Sequence, residues 1–115
     1  MANQVVHYEI RARDPDAARE FYGKLFGWTF PAAVEPGYTY VETGEKPGIP
    51  GGIGRAPSGN GHVTFFVGVD DVAAALAKAR SLGATEVLPA THVPGVTFGL
   101  FADPEGHVIG VSKND

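Results

Sequence analysis

The chain has 115 residues, enough for one ordinary domain with a single hydrophobic core and too few for two independent ones. It is 43% hydrophobic and 19% charged, so it can bury apolar surface and is not a disordered tail. A formal net charge of −4 without any run of Lys or Arg leaves no clustered basic face for nucleic acid, and the lack of cysteine excludes disulfides, thiolate metal sites and a Cys nucleophile.

From Met1 the sequence runs straight into polar–apolar alternation, with no basic and apolar leader and no stretch of membrane-spanning length. A cytoplasmic protein without a membrane partner is therefore expected. From Val5 to Arg13 the alternation predicts a strand, with Val6, Tyr8, Ile10 and Ala12 on one face and Val5, His7, Glu9 and Arg11 on the other. Asp14-Pro15-Asp16 supplies an N-cap and a proline at the first helical position, where its missing N–H is no loss. Ala18, Phe21, Tyr22 and Leu25 follow at helical spacing, and Gly27 ends the helix. That periodicity assigns Phe21, Tyr22 and Phe26 to the core. Three short strands are then predicted, at Trp28–Phe30, Tyr38–Thr43 and Pro50–Arg55.

The stretch Gly48–Gly61 is glycine-rich, but it lacks the Lys-Ser/Thr ending of a phosphate-binding loop and opens no helix. It reads as a last strand plus a connector, in which Gly51, Gly52 and Gly54 permit close approach of a ligand or another backbone. The same order then returns. A strand from His62 to Val69 leads to an Asp70 cap and a helix with Val72, Leu76 and Ala79 on its apolar face. Gly83 stops that helix, and strands follow at Thr85–Leu88, Val96–Ala102 and His107–Ser112.

The repetition extends to individual residues. Pro36–Gly54 reads PGYTYVETGEKPGIPGGIG and Pro94–Ser112 reads PGVTFGLFADPEGHVIGVS. At a constant offset Thr39 meets Thr97, Tyr40 meets Phe98, Gly48 meets Gly106 and Gly52 meets Gly110, while upstream His7 is matched with His62. The expected fold is α+β: one domain over 1–115, made of two tandem β-α-β-β-β units (about 1–57 and 60–115) whose curved mixed sheets form a cleft. Whether the units pair within one chain or across a dimer is left open. Strand alternation puts His7, Glu9 and Arg11 of one unit, and His62, Thr64 and Phe66 of the other, on the cleft-facing class of positions.

The stretches FYGKLFGW at Phe21–Trp28, GHVTFFVGVDD at Gly61–Asp71 and ADPEGHVIGV at Ala102–Val111, with the paired units, resemble the vicinal oxygen chelate superfamily of glyoxalase, bleomycin-resistance and dioxygenase proteins. The chain is most similar to short predicted enzymes related to lactoylglutathione lyase, over essentially its whole length. The resemblance implies, for metal-dependent members, one ligand from the first strand of each unit and a Glu from the last. This sequence carries His7 and His62 at the first-strand positions but Gly52 and Gly110 at the last-strand positions.

Two classes of function follow. One is a protein that binds a small molecule in the cleft through His7, Glu9, Arg11, His62, Thr64 and Phe66, as the bleomycin-resistance members sequester their ligands. The other is a lyase, isomerase or dioxygenase using a divalent metal on His7, His62 and Glu9, a two-His, one-carboxylate set. No cofactor is favoured, although a divalent metal is possible. Lactoylglutathione lyase activity is not expected, since both Glu positions hold glycine. His92 and His107 adjoin turns and read as surface residues, and a homodimer is expected because curved sheets leave apolar edges.

Overall fold

A computed structural model describes residues 2–31, 37–45 and 48–115 of the chain. Its described elements in chain order are β1 (Val5–Ala12), α1 (Pro15–Phe26), β2 (Thr39–Tyr40), β3 (Gly51–Arg55), β4 (His62–Gly68), α2 (Val72–Ser81), β5 (Thr85–Val93), β6 (Val96–Ala102) and β7 (Val108–Asn114). Two compact units result: His7–Val63, and Thr64–Asp115 joined by the N-terminal residues up to Val6. The expected α+β mixture is present, and both halves follow the same path.

In the first half β3 lies between β2 and β1, parallel to β1 and antiparallel to β2. Asp14 caps α1 through its side chain, which accepts from the Ala17 N–H, and Gly27 closes the helix in the left-handed conformation that glycine adopts without penalty. The helix packs on β3, where Ile53 is completely buried. In the second half β4 is parallel to β7, β7 antiparallel to β6 and β6 antiparallel to β5. Asp71 rather than Asp70 is the cap of α2, accepting from the Ala74 N–H. Val72, Leu76 and Val111 form the core there, with Val69, Ala75 and Phe101 against it.

Several predicted boundaries shift for identifiable reasons. Trp28–Phe30 forms only an isolated bridge between Thr29 and Glu42, because Pro31 follows and cannot donate to a ladder. Tyr38–Thr43 contracts to the two residues of β2. The Pro36 part of the Pro36-Gly37 turn lies outside the described residues. By contrast β5 extends to Val93, joined to β6 by the Pro94-Gly95 turn, with Gly95 at φ 93° as a type II turn requires. Pro89 is tolerated because β5 is the outer strand of its half and its register shifts around that position.

The largest departure concerns α1. Phe21 and Phe26 are not core residues: they are 58% and 57% exposed, and Leu25 is exposed as well. Phe21 and Leu25 lie at the edge of the inward face of α1, and Phe26 at its last residue. Only Tyr22 turns inward among the three aromatics, stacking on Trp28, while Phe26 flanks the indole from outside.

Candidate functional site: a ring over a glycine strand

Alternation along β1 gives His7, Glu9 and Arg11 one face and Tyr8 the other, where its ring meets Trp28 on the helix side. The first face is joined into a network by Tyr38. His7 Nε2 and the Tyr38 hydroxyl are hydrogen-bonded at 2.8 Å, and the Glu9 carboxylate lies near enough to act on the phenol. Either partner can donate in this bond, according to the His7 tautomer. Arg11 Nε donates to Glu9 Oε1 at 2.7 Å, and its guanidinium lies over the Tyr38 ring, 5.0 Å from the centroid. Arg11 is further held by the Arg55 carbonyl.

The electrostatics fix the protonation pattern. Burial, reinforced by the negative charge of Glu9, pushes the Tyr38 phenol far above its usual range, so it stays a hydrogen-bond donor. His7 is shifted down, chiefly by burial; Glu9 opposes this and Arg11 adds to it, so the imidazole is neutral at neutral pH. Tyr40 stands edge-on to both rings, with centroids 6.2 Å from His7 and 5.9 Å from Tyr38. Tyr38 is only 8% exposed whereas Tyr40 is 47% exposed, so Tyr40 offers the accessible aromatic surface.

The glycines of β3 make this packing possible. A Cβ at Gly52 would land on the Tyr38 hydroxyl and ring; at Gly54 it would meet Tyr38 and Arg11; at Gly51, on the opposite face, it would land on the Tyr8 ring. The close approach predicted for this strand is thus made by side chains of the same half.

The second half repeats the device with different chemistry. Gly110 is the register partner of Phe66, and a Cβ there would land on the Phe66 ring. Phe66 is 6% exposed and packs edge-on to Phe98 at 6.3 Å. Thr64 is buried, and its hydroxyl donates to the Val108 carbonyl at 2.7 Å.

The match of His7 with His62 is corrected by this geometry. Seven residues before the Asp14 cap stands His7, and seven before the Asp71 cap stands Thr64. Strand register agrees, because Gly52 faces Glu9 and Gly110 faces Phe66, each two residues beyond those positions. His62 lies two residues earlier, exposed at the start of β4. The match of identical histidines outweighed the spacing to the helix caps, which puts Thr64, seven residues before Asp71, at the place of His7.

Of the residues expected at a site, His7, Glu9 and Arg11 come together, while Thr64 and Phe66 are used in packing the second half. Tyr38 was missed; its signal was the bare Gly52 in a strand whose neighbour carries Tyr38-Thr39-Tyr40. His92 and His107 are engaged locally, His92 Nδ1 with Thr97 Oγ1 and His107 with Asp103, whose carboxylate also accepts from the N–H groups of Glu105 and His107.

The metal implied by the resemblance does not fit these residues. Neither glycine provides a carboxylate, aromatic rings fill the space above both, and a hydrogen-bonded threonine stands where the second first-strand ligand would be. Among the described residues no three His, Asp or Glu side chains gather into a group able to hold a metal ion, so His7, His62 and Glu9 do not form the anticipated set.

Comparisons with known proteins agree with the architecture. The profile of the Glyoxalase/Bleomycin resistance protein/Dioxygenase superfamily matches residues 4–111. No curated protein matches the sequence. Among solved structures, a variant of the Streptomyces coelicolor methylmalonyl-CoA epimerase in complex with 2-nitronate-propionyl-CoA is similar at TM-score 0.65 and 19% identity, covering 99% of each chain. A Vibrio splendidus 12B01 member of the glyoxalase/bleomycin resistance protein/dioxygenase superfamily has TM-score 0.66 and 15% identity, over 98% of this chain and 100% of that one. The Mn(II)-bound glyoxalase from Novosphingobium aromaticivorans has TM-score 0.66 and 17% identity, over 97% of this chain but 40% of the other. At these identities the likeness concerns the fold. No helix among the described residues is long and apolar enough to cross a membrane.

Proposed function

Because the chain belongs to the glyoxalase/bleomycin resistance protein/dioxygenase superfamily, we propose that it binds a small, flat, oxygen-bearing molecule on the His7–Glu9–Arg11 face of its first half. The observation that carries this reading is the linked set His7, Tyr38, Glu9 and Arg11 beside the half-exposed ring of Tyr40. Apolar surface with a few fixed polar groups is the usual make-up of a small-molecule site. Tyr40 supplies a ring to pack against, and neutral His7 supplies a directional contact. The Arg11–Glu9 pair balances charge, which favours a neutral or singly charged ligand.

Contacts from His62, Thr64 and Phe66 belong to the reading only in a lesser role, since the last two are buried. A homodimer is part of the same proposal, supported by the exposed Phe21, Leu25 and Phe26 of α1. Light scattering at micromolar concentration is expected to give twice the chain mass; the mass of one chain throughout would remove that element.

The ligand reading is tested by saturation-transfer NMR with benzoate, phenylpyruvate and pyruvate on protein without a His tag. The two probes with a phenyl ring are expected to receive saturation, and to lose it in His7→Ala and Tyr40→Ala. Absence of transfer to any probe, or transfer undiminished in both variants, would overturn the proposal.

A further inference from the structure

Gly52 and Tyr38 are a matched pair. In the superfamily members to which the sequence was likened, the last strand presents a carboxylate at this place. Here the strand is bare, and a neighbouring strand folds a phenol over it. The phenol does more than fill space. Its hydroxyl bonds His7 and its ring lies under the Arg11 guanidinium, which in turn bonds Glu9, the residue directly across the β1–β3 ladder from Gly52.

We infer that Tyr38 takes the place of a metal ion in this half: its ring occupies the space of the last-strand carboxylate, its hydroxyl holds His7, and Arg11, stacked on its ring, holds Glu9. Tyr38 is thus a positioning residue. In the second half the space over Gly110 is also filled by a ring, that of Phe66, which has no polar atom to offer, so only the first half keeps a polar network there.

One consequence is that restoring a carboxylate alone cannot restore a metal site. Gly52→Glu drives its side chain into Tyr38, whereas Tyr38→Ala with Gly52→Glu clears the space and leaves His7, Glu9 and residue 52 on one face. That is three oxygen and nitrogen donors, a set suited to Mn²⁺ or Ni²⁺.

Two measurements test this, neither involving an organic ligand, so their failure is distinct from failure of the binding proposal. The first is a thermal-unfolding cycle of wild type, Tyr38→Ala, Gly52→Ala and the double variant. The loss caused by Gly52→Ala is expected to shrink when Tyr38 is already removed; additive shifts would overturn the inference. The second is calorimetric titration of tag-free protein with MnCl₂ and with NiCl₂, with circular dichroism to establish folding. Wild type is expected to give no saturable isotherm, and Tyr38→Ala/Gly52→Glu to bind at least about tenfold more tightly than Gly52→Glu. One-to-one binding by wild type that is abolished in His7→Ala would overturn the inference, as would a folded double variant that binds no better than the single one.

Discussion

Gly52 and Gly110 occupy matching places in the two halves, each beneath an aromatic ring, yet the rings leave different surroundings. The Tyr38 hydroxyl bonds His7 and its ring lies under Arg11, which bonds Glu9, next to a half-exposed Tyr40. Phe66 packs against Phe98, and its neighbour Thr64 spends its hydroxyl on a backbone carbonyl. One repeated architecture thus yields a polar, linked face in the first half and an apolar, closed one in the second. Duplication preserves where side chains point; it does not preserve what they do.

The sharpest way to break the comparison is Gly110→Glu, which places a carboxylate against the buried Phe66 ring. It should destabilise the protein by about 3–5 kcal/mol in urea unfolding, the scale of an uncompensated buried charge. Loss of well under 1 kcal/mol would mean that the second half is not closed as described.

His7 probes the opposite half. His7→Ala should weaken benzoate binding by about 1–2 kcal/mol, and His7→Gln should recover part of it, since an amide still hydrogen-bonds. Equal and complete loss in both variants, measured by NMR titration, would favour a role that an amide cannot fill, such as metal ligation. Thr64→Val, at the place equivalent to His7, should instead lower stability by roughly 1 kcal/mol through the Val108 carbonyl left unpaired, and leave benzoate affinity unchanged.

The smallest expected effect is on pH dependence. The His7 pKa is lowered in the folded protein, so below its ordinary value of 6.5 the unfolded chain takes up the proton first. The stability contribution of neutral His7 is therefore complete above pH 6.5 and is lost as the pH falls through the folded pKa. Thermal unfolding between pH 7.5 and 5 should show this decline, flattened in His7→Gln. An equal decline in both proteins would assign it to other groups.

Much of this was legible in the sequence because it follows from local rules. The Asp14-Pro15 cap, Gly27, the Pro94-Gly95 turn and the alternation of β1 each act through their own backbone, and the duplicated unit emerged from their order. Tyr38 was not legible in that way. Its importance depends on register across β2, β3 and β1, which brings it over a glycine far along the chain. The pairing of His7 with His62 failed for a related reason: identical residues aligned more readily than the caps did, and the strand register supports Thr64. Phe21 and Phe26 were assigned to the core because helical periodicity shows which residues share a face, but not how much sheet is available to cover it.

The most direct test of the first half as the binding face is histidine side-chain NMR during titration with benzoate. The four imidazoles are well separated in setting: His7 within the Tyr38 network, His62 exposed at the start of β4, and His92 and His107 in local polar contacts. Saturable shifts of the His7 ring signals are expected, with His62, His92 and His107 unmoved, and those shifts should be lost in Tyr40→Ala. Saturable binding that moves His62 or none of the four, with His7 unchanged, would contradict it.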